Sequence, residues 1–518
     1  MPTTSHRIEE NQDAARPPAT AVQPRILIFI VAYNAKTTLG WVLDRIPDDL
    51  RRENVEVLVI DDSSPDETFQ AGVEYAATDH GVKITILRNP ENQGYGGNQK
   101  LGYRYAIEHG FDFVALVHGD GQYAPECLPQ LLAPLMAGEA EAVFGSRLLT
   151  QGGARRGGMP LYKLLGNRAL TRFQNALLGT NFSEFHSGYR LYSTRALQRI
   201  PFECNTNDFH FDTEIIIQLV FAGQRILELP IPTYYGDEVC RVNGLKYAWD
   251  VCKTMLRARI HHLDLLYDRK FDVGSLSRSY ALKLGYPSSH TFALECAHPG
   301  SEVLNIGCAK ADLTPELARR GCQVTNLGEQ PPAAAGAEPF KFIPYRLDAG
   351  EFPVDVSHYD QILLLDVVEQ LEEPEHFFEE LRFAARQHRP EVLIAAANVG
   401  FIVTRLMLLF GSFNYGRRGI LDRGHRRLYT FHSLTTLLSQ CGYQVLETRG
   451  VPAPFPLAAG TGWLSRALLH VNEFLIWISR GLFSYQIFIR AQALPSVHHL
   501  LEHTVETSEA LRAERMKD

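Results

Sequence analysis

The chain has no C-x-x-C pair, no uninterrupted apolar run of membrane-spanning length and no excess of positive charge. Its eight cysteines, at 127, 204, 240, 252, 296, 308, 322 and 441, are scattered. That spacing suits reduced thiols in a cytosolic protein and argues against a disulfide frame or a zinc site. A membrane helix needs ~18 to 20 consecutive apolar residues. The nearest stretches, FIVTRLMLLFGSF (401–413) and FLIWISRGLFSYQIFI (474–489), are interrupted by arginine, serine and glycine. This reads against an integral membrane protein and leaves a peripheral one open. With 51 Lys+Arg against 59 Asp+Glu, a formal net charge of −8, the surface is not that of a nucleic-acid binder. The first 24 residues are polar and Pro/Ala-rich without the apolar core of a signal peptide, and are expected to form a disordered arm. The location expected is cytoplasmic, at most peripheral at the inner face of the cell membrane.

What is present is an alternation. The length of 518 residues exceeds one ordinary core and implies two or three domains. ILIFIVAY, VEVLVIDD, KITILRN and FVALVHGD read as buried parallel strands, separated by helical patterns such as TTLGWVLDRIP and NQKLGYRYAIEHG. The series predicts a doubly wound α/β sheet, whose ligands sit at the carboxyl ends of its strands. Those ends carry Tyr33 and Asn34, then Asp61 and Asp62, then Asp120. A helical stretch at 245–272 follows, and a second α/β series starts near residue 290 with EVLNIGCAKADLTPELARRG, CQVTNLGE, YDQILLLDVVEQ and EVLIAAANV. The domains expected are an arm at 1–24, a first α/β domain at 25–255, a helical linker at 256–289, a second α/β domain at 290–493 and a polar helical tail at 494–518. The two halves are not repeats of each other.

Three segments of the first half carry chemistry. In IDDSSPDET a carboxylate at a strand end suits a ribose hydroxyl or a base edge, and equally suits a helix cap by Asp62 or Ser63. The glycines of NPENQGYGGNQK, Gly94 among them, allow close backbone approach; alone they are weak evidence for a phosphate site. In HGDGQYAPE, one oxygen each from Asp120 and Gln122, with diphosphate oxygens and water, could complete the octahedron that Mg²⁺ or Mn²⁺ prefers. A simple turn aspartate is the alternative.

VAYN, VIDDSSPDET, NQGYGGNQK, HGDGQYAPE, FGSR and HSGYRLY occur in this order over roughly residues 25–255. Together they resemble the family-2 glycosyltransferases, in the branch of dolichyl- and polyprenyl-phosphate sugar transferases. The resemblance implies a GT-A fold, a nucleotide-diphosphate sugar donor, a divalent metal, Mg²⁺ or Mn²⁺, and inversion at the anomeric carbon. Carried over, it implies that Ala32, Tyr33, Asn34, Asp61, Asp62 and Gly94 contact the nucleotide sugar. Asp120 is then the second acid of the D-x-D motif, with Gln122 a further metal ligand. Arg147 would meet phosphate charge, and Arg190 would serve the acceptor side or lock the active-site loop. Two positions depart from the family. His118 replaces an acid and could ligate the metal, or bind the ribose or a metal-bound water. Glu184 replaces a common aspartate and stays a candidate base or loop organiser. Asp212 and Glu214 open a helix, where catalysis and capping are both open to them. The processive members' Q-x-x-R-W motif is absent, which favours a single transfer. The stretch 154–179 mixes Arg155, Arg156, Lys163, Arg168 and Arg172 with leucines and Phe173, and suits either a membrane surface and a polyprenyl phosphate or a solvated helix over the sheet.

The second half, roughly 290–492, resembles class I S-adenosylmethionine methyltransferases, which have Rossmann-like sheets. The resemblance implies cofactor contacts from Asn305, Gly307, Glu329 and Asp366, with Asp366, Asp422 and His425 as candidate site residues. Asn305 stands where the family has an acid, Ala309 and Ala311 where it has glycines, and Glu329 one place beyond its usual acid. An active methyltransferase, a scaffold and a domain with another ligand stay open.

The reading is thus an inverting, metal-dependent enzyme moving one hexose from a nucleotide-diphosphate sugar to a polyprenyl phosphate or other envelope-glycan acceptor. The alternatives are a glycosyltransferase/methyltransferase acting on a cell-envelope glycan and a non-catalytic nucleotide-sugar-binding scaffold.

Overall fold

A computed structural model describes residues 23–234, 243–262, 266–273, 282–307, 313–331, 341–385, 388–456 and 462–515. The expected arm at 1–24 lies, but for its last two residues, outside them, as do Ala309 and Ala311. The chain divides into two compact units, Met1–Met255 and Leu256–Asp518.

The first unit is built on β1 (Ile26–Ala32), β2 (Val55–Asp61), β3 (Lys83–Arg88), β4 (Phe113–His118), β5 (Ala142–Ser146), β6 (Arg190–Ser193) and β7 (Ile226–Pro230). Their order in the sheet is β3-β2-β1-β4-β6-β5-β7. All neighbours are parallel except β6, which runs antiparallel to β4 and β5. The continuous apolar runs of β1 and β2 are buried on both faces, as parallel strands covered by helices must be. Ile26, Ile28, Ile30, Val57, Val59, Val117 and Leu191 share one core with the helices at Leu39–Asp44 and Leu128–Met136.

The second unit repeats the principle with β8 (Glu302–Ile306), β9 (Gln323–Gly328), β10 (Lys341–Pro344), β11 (Gln361–Leu365), β12 (Glu391–Ala397), β13 (Tyr443–Val451) and β14 (Gln486–Ala493). The order is β10-β9-β8-β11-β12-β14-β13, with β14 antiparallel to both neighbours. Leu304, Ile362, Leu364, Val392, Ile394, Ile487 and Ile489 form its main core. Each sheet reverses direction beside its first strand, between β1 and β4 and between β8 and β11, and such switch points are where doubly wound sheets bind ligands.

The helix at Gly244–His262 crosses the boundary expected between domain and linker. A helix at Val497–Arg515 occupies the expected tail. Among the described residues no helix is long and apolar enough to cross a membrane. Cys127, Cys204, Cys252, Cys296, Cys322 and Cys441 are free thiols; Cys240 and Cys308 lie outside the described residues.

Candidate active site

Buried strands cannot leave polar groups along their length, so β1, β2 and β4 release them together at their carboxyl ends. Asp120 sits in the turn after β4 and is exposed, its Oδ1 accepting from the Gln122 backbone N–H at 3.0 Å. The turn needs glycine at 121: its φ is +75°, and a Cβ there would lie 2.3 Å from the Trp41 ring. This pins an acidic tip beside the switch point. Tyr33, 43 % exposed, ends β1 opposite it, since Val31 pairs with His118.

The other acids are spent inside the protein. Asp61 is buried, with Oδ1 accepting from the Ser64 N–H at 3.2 Å and from the Ser64 hydroxyl. Its Oδ2 has no hydrogen-bond donor and only Arg88 Nε, at 3.6 Å, as a nearby cation. Asp62 neither caps a helix nor faces outward. It is buried and accepts from Asn89 Nδ2 (2.7 Å), Gln93 N–H (2.8 Å) and Gly94 N–H (3.0 Å). The glycine loop is therefore folded around Asp62, and Gly96 N–H donates to the Asn207 carbonyl at 2.8 Å. Of the two residues expected to contact the nucleotide sugar here, the Asp62 carboxylate and the Gly94 N–H are bound to each other.

His118 is packed among aromatic rings. Its ring stands edge-on to Tyr95 and Tyr123, with centroids 5.6 and 4.9 Å away. Its Nε2 is 3.4 Å from the Tyr95 hydroxyl. A Cβ at Gly188 would come within 2.6 Å of the ring, so glycine in HSGYR is what lets the loop lie on the imidazole. Burial lowers the His118 pKa against the pull of Asp120 and Asp212, with Arg147 and Arg190 adding to the lowering. The result is a neutral wedge beneath the loop.

Arg147 and Glu184 form a buried pair. Glu184 accepts from the Arg147 backbone N–H (2.8 Å), Arg147 Nε (3.0 Å) and Asn167 Nδ2 (2.8 Å), while Arg147 Nη2 also donates to the His186 carbonyl at 2.9 Å. Burial pushes the Glu184 pKa up, but the charge and hydrogen bonds of Arg147 outweigh it and hold the carboxyl below its ordinary range. A general base needs a raised pKa and an open lone pair. Glu184 has a lowered pKa and is engaged by Arg147 and Asn167, and these bonds describe loop support for both Glu184 and Arg147. Arg190 is 1 % exposed; it donates to the carbonyls of Ser187 (2.8 Å) and Phe185 (2.6 Å) and lies over the Phe144 ring. Of the two roles open to it, loop lock is the one its bonds describe. Asp212 accepts from the Tyr95 hydroxyl at 3.0 Å and lies 3.7 Å from Arg190 Nε. Glu214 accepts from the Thr206 N–H at 2.6 Å. Neither bond is a cap on the helix they open.

The sequence reading passed over Tyr95, Tyr123 and Asn167, which hold these groups. Tyr123 accepts from the Gly188 N–H at 2.7 Å. Tyr95 lies inside the glycine motif and Tyr123 beside Gln122, but no spacing rule links either to a residue far along the chain.

A model of the family described as Glycosyl transferase family 2 matches residues 27–200. An undecaprenyl-phosphate mannosyltransferase of Micrococcus luteus is 30 % identical over 208 residues, 40 % of this chain and 82 % of that protein. The chain belongs to glycosyl transferase family 2. The glycosyltransferase is also similar to a polyprenol monophosphomannose synthase of Mycolicibacterium smegmatis, 28 % identical over 226 residues covering 43 % of this chain and 83 % of the relative. The low-salt glycan biosynthesis hexosyltransferase Agl6 of Haloferax volcanii is 34 % identical over 240 residues, 45 % of this chain and 54 % of its own. A solved glucosyl-3-phosphoglycerate synthase of Mycobacterium tuberculosis aligns over 46 % of this chain and 80 % of that chain, at 18 % identity and a TM-score of 0.35, a likeness too slight to inform the site. The first unit is thus the GT-A domain of a hexosyltransferase, and the alternative of a non-catalytic scaffold is set aside.

The glycosyltransferase's second unit is an α/β domain for which none of these matches speaks. Asn305 is buried, its Nδ2 donating to Asn326 Oδ1 (2.9 Å), which also accepts from Thr314 Oγ1 (3.1 Å). The residue standing in for the methyltransferase acid is therefore turned into the core. Gly307 has φ +80° and sits against Val367, and Glu329 is exposed. Asp366, at φ +57°, accepts from Gln486 Nε2 at 2.6 Å. Asp422 accepts from the Gly424 N–H at 2.7 Å and His425 Nδ1 lies 3.1 Å from the Ile420 carbonyl. Both bonds close a local turn.

Proposed function

We propose that the GT-A domain, residues 25–255, transfers a single hexose from a nucleotide-diphosphate sugar to a polyprenyl phosphate, with inversion. The observation that carries the site is the exposure of Asp120 at the switch point, while Asp61, Asp62, Glu184 and Asp212 are buried. One open carboxylate fits a divalent ion that arrives with the donor, because Mg²⁺ is commonly held by one or two carboxylates plus substrate phosphates. Asp120 and the Gln122 side chain would hold Mg²⁺ or Mn²⁺ there, and the ion would supply positive charge to the leaving diphosphate. No third protein ligand supports a preformed cage: among the described residues the only three-group set close enough to share an ion is His498, His499 and Glu502, remote in sequence.

The nucleotide half of the donor meets Tyr33, Asn34 and Asp61, whose unpaired Oδ2 calls for a donor such as a base N–H or ribose hydroxyl. A phosphate-monoester acceptor is already an anion at neutral pH, so its oxygen attacks the anomeric carbon without a base, as the bond to the diphosphate breaks. That agrees with a site in which the candidate bases Glu184 and Asp212 are engaged by Arg147, Asn167 and Tyr95. Similarity to an undecaprenyl-phosphate mannosyltransferase and a polyprenol monophosphomannose synthase supports the acceptor. So does the Leu161–Leu178 helix, which turns Leu164, Thr171 and Gln174 inward and exposes Leu161, Tyr162 and Leu165 beside Arg168 and Arg172. The reading places the enzyme at the inner face of the cell membrane.

For the second domain, residues 290–493, the doubly wound sheet and the strained Asp366 beside its switch point support a ligand-binding role. Asn305 and the tied Asp366 count against S-adenosylmethionine as that ligand. The test is a panel of nucleotide-diphosphate sugars with Mg²⁺ or Mn²⁺ and undecaprenyl phosphate, read by mass spectrometry of the lipid product. One donor giving hexosyl-phosphate lipid is expected; transfer to soluble acceptors alone would overturn the acceptor.

A further inference from the structure

The Trp463–Ile478 helix of the second unit is amphipathic the wrong way round for a soluble domain. Its inward side carries Ser465, Leu469 and Asn472, all buried. Asn472 ties the helix down, accepting from the Ala453 N–H and donating to the Phe483 carbonyl, both at 2.9 Å. Its outward side presents Trp463 and Trp477 near its two ends, 77 and 81 % exposed, with Leu464, Val471, Phe474 and Ile478 between and beside them. The Ile402–Leu409 helix adds Leu409 and Phe410, 75 and 80 % exposed. The segments flanking the two helices are tied together, because Asn398 Nδ2, ahead of the shorter helix, donates to the carbonyls of Gly481 (3.1 Å) and Ser484 (2.8 Å), beyond the longer one. A helix face on which Trp463, Leu464, Val471, Phe474, Trp477 and Ile478 are all exposed marks an interaction site.

The charges around it select the partner. Arg405, Arg466 and Arg480 are exposed on or beside these helices, and the acid of the longer helix, Glu473, is half-buried. A basic rim on a chain of net charge −8 is complementary to an anionic surface. Large apolar and aromatic side chains with flanking arginines, on a helix too short to span, are the composition of an in-plane interfacial helix. We propose that this face docks the second unit on an anionic lipid surface. The helices follow the carboxyl end of β12 and lead into the start of β14, where Ala397 pairs with Gln486 and Gln486 holds Asp366. Docking therefore sets the switch-point end of the second sheet beside the membrane. The proposal stands on the second unit alone and goes beyond the polyprenyl-phosphate reading of the first.

The test is co-flotation of the full chain with vesicles of phosphatidylcholine, with and without phosphatidylglycerol. The full chain floats, more strongly with the anionic lipid. The triple variant Trp463→Ser/Phe474→Ser/Trp477→Ser loses at least about tenfold in partitioning, and Arg466→Glu loses the preference for anionic vesicles. Trp463→Phe/Trp477→Phe retains flotation, and all variants transfer sugar to a short water-soluble prenyl phosphate as the parent does. A parent that stays in solution, or a triple variant that floats like it, overturns the proposal. So does a parent dimer that the triple variant turns into monomer without any flotation, which would assign the face to a second copy. Flotation without transfer to lipid phosphate leaves the docking face standing and overturns the acceptor instead.

Discussion

The two sheets are wound alike and end differently. Both reverse order beside their first strand, and both concentrate backbone strain there. Among the described residues the non-glycine positions with positive φ are Asn34, after β1, Ser63, after β2, and Asp366, after β11. Such conformations cost ~1–3 kcal/mol each and gather at functional sites. In the first unit the acid Asp120 lies apart from these strained residues, in the glycine turn after β4, and is open to solvent. In the second the strained residue is itself the acid, and Gln486 holds it. Topology thus chooses the end of the sheet that can bind, and side-chain pairing chooses which groups remain able to do so.

Asp120→Asn tests this contrast with the largest expected effect. Sugar transfer should fall by about 10²-fold or more, the order of loss when one group that stabilises developing charge is removed. Asp366→Asn should leave transfer to lipid phosphate unchanged. Equal losses in the two variants, measured as nucleotide diphosphate release, would erase the difference between the sheets. Next is Glu184→Gln, which leaves Arg147 buried without its carboxylate and should destabilise the first unit by about 3 kcal/mol. Hydrogen exchange of first-unit peptides reads this, with kcat of the folded protein changed by no more than a few-fold. Intact stability with lost turnover would restore Glu184 as a base.

The smallest effect concerns a feature the units share. Burial is the chief reason that His186 in the first and His290 in the second have pKa values lowered to about 4. His186 also has a buried Nε2 with no hydrogen-bond partner. Because the folded pKa lies below the unfolded value, the unfolded chain binds more protons between about pH 6.5 and pH 4. Stability is therefore complete above that window and falls as pH drops through it, by roughly 1–2 kcal/mol per histidine after allowing for partial exposure. His186→Gln should flatten this acid dependence in first-unit peptides and leave it in second-unit peptides. A variant that keeps the first unit's slope would assign it to other groups.

The strands named from ILIFIVAY, VEVLVIDD, KITILRN and FVALVHGD are β1 to β4, since an unbroken apolar run bounded by polar turns has few other solutions. Asp120 was legible for the same reason: a glycine turn after a buried strand must put its acid at an edge. Asp62, Glu184, Arg147 and Arg190 were legible as residues gathered at this end of the sheet, but their bonding partners were not. Their motifs bring them to this end of the sheet, but for Asp62, Arg147 and Glu184 it is contacts with residues 27 to 39 positions apart, Asn89 with Asp62 and Arg147 with Glu184 and His186, that show where their polar atoms are bound. The outward face of the Trp463–Ile478 helix was equally hidden, because hydrophobic periodicity identifies an apolar stripe without saying whether it meets the core. By itself the sequence determined where strands end, which residues gather there and which family the order of motifs resembles, because these depend on local pattern and chain topology. The tertiary structure alone decided which charged groups cancel one another and which stay available, because pairing depends on distances between segments that no local pattern encodes.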